Sequence, residues 1–185
     1  MDAIIVYDTQ QYRNEEFMSQ HSRPLYTNRN STQTLRQGLE EYYVVNPNFT
    51  DPRKLPPEFA KILLAHDVSH IVYGCDTGMY DELKILPLTW WTSNYKFRDH
   101  LRTLKDPIIS PAIKLMYNDL IKEHGVIWLY TSIFFVLPQL LPELISMWRK
   151  SRQRERFVPF LEFEPLLDRS LLEIRQEFDL LPFIR

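Results

Sequence analysis

The sequence predicts an all-α, single-domain helical bundle. Its 185 residues suit one domain with a real core and are too few for two comfortable ones. Only 4 glycines stand against 13 prolines, and many of the prolines bound apolar segments, which favours helices broken by turns over a sheet of hairpins. Within those segments apolar residues recur at three and four positions, the period of a helix with one buried face. No repeat of solenoid length is present.

Residues 1–34 are polar, rich in Gln, Asn, Ser and Thr, and read as a loosely ordered N-terminal arm with one short helix around Glu15 to Met18. The helical domain is expected over 35–185. Leu35, Leu39, Tyr42 and Tyr43 mark a short amphipathic helix that the Asn-Pro and Asp-Pro steps at 46–52 end. Pro57 suits a first helical position and Glu58 complements the positive end of the macrodipole, so a helix should run from there to Tyr73. Gly74 can take the left-handed conformation that closes it, and Asp76 or Thr77 can cap the next helix. That helix passes Glu82 and Leu86 to Pro87 and continues, bent, into Trp90-Trp91. Ile109, Ala112, Ile113, Met116 and Leu120 predict another, stopped by Gly125. The apolar stretch 126–148 follows, then a basic cluster, and a last helix is expected from Leu166 to Phe178.

Charge is nearly balanced, 22 basic against 24 acidic residues, so no nucleic-acid partner is expected. The single cysteine, Cys75, excludes an internal disulfide framework, and no export or transit signal is evident, which predicts a reducing compartment.

The stretch HDVSHIVYGCDTGMYDE, 66–82, places acids and imidazoles among apolar residues. On a helical wheel Phe59, Ile62, Leu63, His66, His70 and Tyr73 share a sector of about 100°, with Asp67 at its edge. Folding the 74–77 turn into an antiparallel hairpin brings Glu82 level with residue 69. Buried carboxylates without partners cost several kcal/mol each, a cost that a divalent cation removes. His66, Asp67, His70 and Glu82 are therefore the expected metal ligands, and the nitrogen and oxygen donor set suits zinc, iron(II) or manganese better than magnesium. The plainer alternative is a set of core histidines satisfied by hydrogen bonds to the acids. No separate catalytic acid is identifiable.

His66-Asp67-x-x-His70, eleven residues, then Glu82 resembles the signature of the ubiquinone (coenzyme Q) biosynthesis protein Coq-four family. The tail Ser170-Leu-Leu-Glu-Ile-Arg-Gln-Glu-Phe-Asp-Leu-Leu-Pro182 is similar to that family's C-terminal helix. The likeness covers about residues 35–185 and is strongest over 55–86. The chain differs from the family at Val68-Ser69, where Phe-Trp is usual, and at Cys75–Gly78. The resemblance implies an all-helical fold, a metal at those four positions, and peripheral attachment to a membrane. It also implies oxidative decarboxylation of a polyprenylated benzenoid precursor, in company with other quinone-biosynthesis enzymes. The implied location is the cytoplasmic membrane surface in a bacterium or the matrix face of the inner membrane in a mitochondrion. A homodimer is a further possibility.

The segment 126–148 is apolar nearly all round, which fits a buried helix or a membrane span. Thr131, Ser132, Gln139, Glu143, Pro138 and Pro142 argue against a span. The expected role is one wall of a hydrophobic channel for a polyprenyl lipid, lined by Phe134, Phe135, Leu137, Leu140 and Leu141. Arg149, Lys150 and Arg152 then follow as contacts for a headgroup or prenyl phosphate. Two rival readings are a non-catalytic prenyl-lipid carrier or scaffold, and a metal-dependent hydrolase.

Overall fold

The computed structural model describes residues 23–49, 52 and 55–184, and all statements below concern these. The chain forms seven α-helices in a single domain: α1 (Leu35–Val45), α2 (Pro57–Tyr73), α3 (Met79–Thr92), α4 (Phe97–Lys105), α5 (Ile109–His124), α6 (Val126–Ser151) and α7 (Leu171–Glu177). Short 3-10 turns lie at Leu25–Thr27, Glu164–Leu166 and Leu181–Phe183. No strand occurs among the described residues, where pairing is limited to isolated bridges.

Helix α2 is central. Pro57 occupies its first turn with Glu58 beside it, and Gly74 closes it at φ 63°, a conformation that costs glycine nothing and other residues strain. Its C-terminal half is buried all round, since Ala65 and every residue from Asp67 to Tyr73 is covered. Helices α1, α3 and α7 pack on it, and α6 packs along α3. Gly38 lets α1 approach closely, because a Cβ there would stand 2.6 Å from Ile71 Cγ2. In an open helix Gly→Ala gains about 1 kcal/mol. Here overpacking costs about 1–3 kcal/mol, so Gly38→Ala is expected to lower the urea midpoint rather than raise it.

The N-termini of α1 and α7 are built alike. Thr34 and Ser170 each form a capping box, with Gln37 and Glu173 respectively. Backbone bonds tie the two together, from Leu35 N to Arg169 O (3.0 Å) and from Leu171 N to Gln33 O (2.7 Å). This pairing corrects the expected helix from Leu166 to Phe178: Ser170 is needed as a cap, so the regular helix begins only at Leu171. Part of the predicted arm also belongs to the domain, for Tyr26 is fully buried and Ser31 is buried. The expected helix at Glu15 to Met18 lies outside the described residues.

Gly78, rather than Asp76 or Thr77, is the N-cap of α3. Asp76 Oδ1 instead accepts from Thr77 N, and Asp81 Oδ2 accepts from Asp76 N at 2.9 Å, so these acids hold the turn. Helix α4 was not foreseen. Its Phe97, Leu101 and Leu104 do recur at helical spacing, but all three remain exposed among charged neighbours.

Helix α6 continues through Pro138 and Pro142 to Ser151, and it does not line the expected channel. Phe134 is 72% exposed, Phe135 66%, Leu137 41% and Leu141 46%, while Leu140 alone is fully buried, in the core. The face of α6 that meets α3 carries Leu140, Glu143 and Met147, and the phenylalanines lie on the other side. A cleft of about 370 Å³ exists elsewhere, bounded by Ile62, Asn94, Tyr95, Asp99, Arg102 and Glu162.

Candidate metal centre

The hairpin of α2 and α3 brings three of the four expected ligands together. His66 and His70 stand one turn apart on α2, their rings edge to face with centroids 4.8 Å apart. Their Nε2 atoms are 3.2 Å apart. Glu82, in the first turn of α3, points both carboxylate oxygens at them: Oε2 is 3.4 Å from His66 Nε2 and Oε1 is 3.3 Å from His70 Nε2. The three donor groups lie within 4.8 Å of one another and could hold a metal ion.

Their geometry fits such an ion. Donors about 2.0–2.2 Å from a cation at tetrahedral angles stand roughly 3.4 Å apart, close to the separations seen. His70 Nδ1 lies 3.1 Å from the carbonyl of Asp76. Donating there places its proton on Nδ1 and turns the Nε2 lone pair to the centre, the orientation that a metal-binding imidazole requires. The fully buried His70 ring forms the floor, whereas His66 and Glu82 are partly exposed, so one side of the centre is open.

Asp67 departs from the expected ligand set. It is buried, but it accepts a hydrogen bond from Tyr43 Oη at 2.7 Å on Oδ2 and lies outside the cluster. The physical reason is its rotation of about 100° from His66 around α2, which turns it towards α1. Burial raises its pKa, against the lowering effect of the Tyr43 bond and the neighbouring imidazoles. It clamps α1 to α2 beside the centre.

Electrostatics bind the remaining three. Burial alone would raise the pKa of Glu82, but hydrogen bonds to His66 and His70 and their charges outweigh it and draw the carboxyl down to about 2. Burial opposes protonation of His70, while Glu82 and Asp67 favour it more strongly, so its pKa is raised. Without a cation, the carboxylate therefore draws a proton onto His70. A cation would take that proton's place.

Several supporting residues carried no role in the sequence. Arg175 of α7 is completely buried and donates to the carbonyls of Ile71 (2.8 Å) and Val72 (3.0 Å) at the end of α2. It also donates to the carbonyls of Tyr26 and Asn28. A lone arginine between Leu171, Ile174 and Phe178 was the available signal. Lys84 is buried against Glu143 of α6 at 3.4 Å, and Tyr80 donates to the same carboxylate. His100 of α4 packs on Trp90 with centroids 5.3 Å apart. Burial, and to a smaller extent the charge of His66, lowers its pKa. Cys75 is a buried thiol whose pKa burial pushes up to about 12, and it lies outside the cluster of His66, His70 and Glu82.

Of the expected headgroup contacts, Arg149, Lys150 and Arg152 are exposed. Lys150 reaches the carbonyl of Pro182 at 3.2 Å, and Arg152 lies over the Trp148 ring at 5.1 Å. Arg154, in the same basic run, turns inward to the Phe178 carbonyl and the Phe183 ring.

No family model, curated protein or solved structure matches the chain.

Proposed function

We propose that this protein is a metal-dependent enzyme of prenylated quinone biosynthesis, with His66, His70 and Glu82 as the ligands of one divalent ion. The observation that carries the reading is the convergence of two imidazole nitrogens and one carboxylate on a centre with an open side. Two histidines and one carboxylate with free positions suit iron(II) in oxygen-dependent chemistry and zinc in Lewis-acid chemistry. Manganese is a third choice and magnesium a poorer one.

The substrate class rests on the resemblance to the Coq-four family. It is a polyprenylated benzenoid bearing a ring carboxyl, which is lost as carbon dioxide while a hydroxyl takes its place. Dioxygen and a two-electron donor are consumed, and the second oxygen atom leaves as water. A bound cation would supply charge stabilisation for the ring phenolate or carboxylate. The protein's own groups do the rest. His70 is held in one tautomer by Asp76, Glu82 keeps the centre anionic, and Tyr43 with Asp67 fixes α1 against the ligand helix. Ile62, one turn before His66, forms part of the wall of the 370 Å³ cleft. This reading places the protein at a membrane surface, in contact with other enzymes of the pathway.

The test is turnover of a prenylated 4-hydroxybenzoate by iron-loaded protein with dioxygen and a reductant, followed as carbon dioxide release and hydroxylated product. Glu82→Gln is expected to lower the rate at least about 100-fold, in the range seen when a metal ligand or its support is lost. Metal-loaded protein that co-purifies with prenyl lipid but turns over none would favour the carrier or scaffold. Turnover of simple esters instead would favour the hydrolase.

A further inference from the structure

Helix α6 has two faces of opposite character. Leu140, Met147 and Ser151 are buried, and Glu143 on the same side meets Lys84 of α3. Tyr130, Phe134, Leu137, Leu141, Ile145 and Trp148 form a second stripe at spacings of four and three, and every one of them is exposed. The stripe extends over about 27 Å, far more apolar surface than a soluble chain leaves in water without a use.

We infer that this face of α6 inserts into one leaflet of a lipid bilayer with anionic headgroups, the helix lying in the membrane plane. Three observations favour lipid. No charged residue occurs from Val126 to Pro142. The polar side chains in that stretch with exposed positions turn back on their own helix: Thr131 Oγ1 donates to Ile127 O at 2.8 Å, and Gln139 Nε2 donates to Phe135 O at 3.2 Å. Internal satisfaction of this kind is what hydrocarbon demands of polar groups. Finally, exposed Arg149, Lys150 and Arg152 follow directly at one end of the stripe, where headgroup phosphates would meet them.

The helix is long and apolar enough to cross a membrane, but its packing forbids that. Helix α3 lies along α6, joined to it through Lys84, Tyr80 and Glu143. A crossing would carry this charged pair, with Asp81 and Glu82, into the bilayer interior. An in-plane helix immerses the stripe and leaves α3 above the headgroups.

The inference needs neither the metal nor the quinone substrate, so its failure would leave the centre untouched. Full-length protein is mixed with vesicles of phosphatidylcholine, alone or with phosphatidylglycerol, and sedimented. We expect strong binding to the anionic vesicles and weaker binding to the neutral ones. Phe134→Asp with Leu137→Asp should weaken partitioning at least about tenfold. Arg149→Glu with Arg152→Glu should weaken it about fivefold or more per residue, on anionic vesicles only. Circular dichroism of each variant confirms that these exposed substitutions leave the helices intact. Wild-type protein that ignores both vesicles, or variants that bind like wild type, would overturn the inference. A dimer that Phe134→Asp with Leu137→Asp dissociates, without vesicle binding, would assign the face to a second copy and overturn it equally.

Discussion

Arg175→Met is expected to lower the free energy of unfolding by roughly 3–5 kcal/mol, measured by urea denaturation. Methionine matches the stem in volume and removes every donor. The carbonyls of Ile71 and Val72 lie in the last turn of α2, where intrahelical donors run out; that of Ile71 also accepts from Gly74 N at 3.2 Å. Those of Tyr26 and Asn28 come from the segment that packs beneath. One planar cation serves all four, and it also lies where the α2 macrodipole is negative. Burial pulls its pKa down to about 10, so the guanidinium remains charged at neutral pH. Arg175→Lys should recover only part of the loss, because an ammonium is a point charge and cannot reach four carbonyls in divergent directions. Since α2 carries both histidines, disorder at its end should also weaken metal binding.

Metal-free and metal-loaded protein are expected to respond to pH in opposite directions. In the metal-free form the folded pKa of His70 lies above its ordinary 6.5. Its contribution is thus complete below pH 6.5 and fades as pH rises through the folded value. Glu82 is depressed from 4.5 to about 2, so its contribution is complete above pH 4.5 and fades as pH falls towards 2. Together these two groups stabilise the metal-free fold most between pH 4.5 and 6.5. A cation requires neutral imidazoles and displaces their proton, so the stabilisation it adds must grow as pH rises. At a hundredfold excess over Kd that gain is about 2.7 kcal/mol. Thermal melts from pH 5 to 8, with zinc or with chelator, would read both slopes. Parallel slopes would mean that the two histidines and Glu82 form only a proton-shared ion cluster.

Much of the bundle was legible because local signals agreed with burial. Pro57, Gly74 and Gly125 bound helices where backbone chemistry requires it. The register of the hairpin followed from a short turn and the helical rise, which is why Glu82 was found from the spacing alone. Asp67 was misassigned for a related reason. A wheel gives the angle of a residue but not which neighbour lies there, and Tyr43 on α1 offers the nearer partner. The central helix hid this further by being covered on nearly every side, so no outward face marked the limits of the site. The channel failed because apolarity was equated with burial: α6 exposes the residues expected inside, and nothing in their composition separates lipid-facing from core-facing positions. Arg175 stood out only as a lone arginine among apolar positions, and its role stayed hidden because its partners are backbone carbonyls from 103 to 149 residues away in sequence, which carry no side-chain signature.

The most direct measurement is metal content and zinc or iron(II) affinity of purified wild-type protein beside Glu82→Gln, His70→Gln and Asp67→Asn. We expect about one equivalent per chain in the wild type and in Asp67→Asn, whose amide oxygen still accepts from Tyr43, and none retained in the other two. Full occupancy after loss of His70 or Glu82, or a wild-type chain that takes up no ion at pH 7.5, would contradict a metal centre at the mouth of this hairpin.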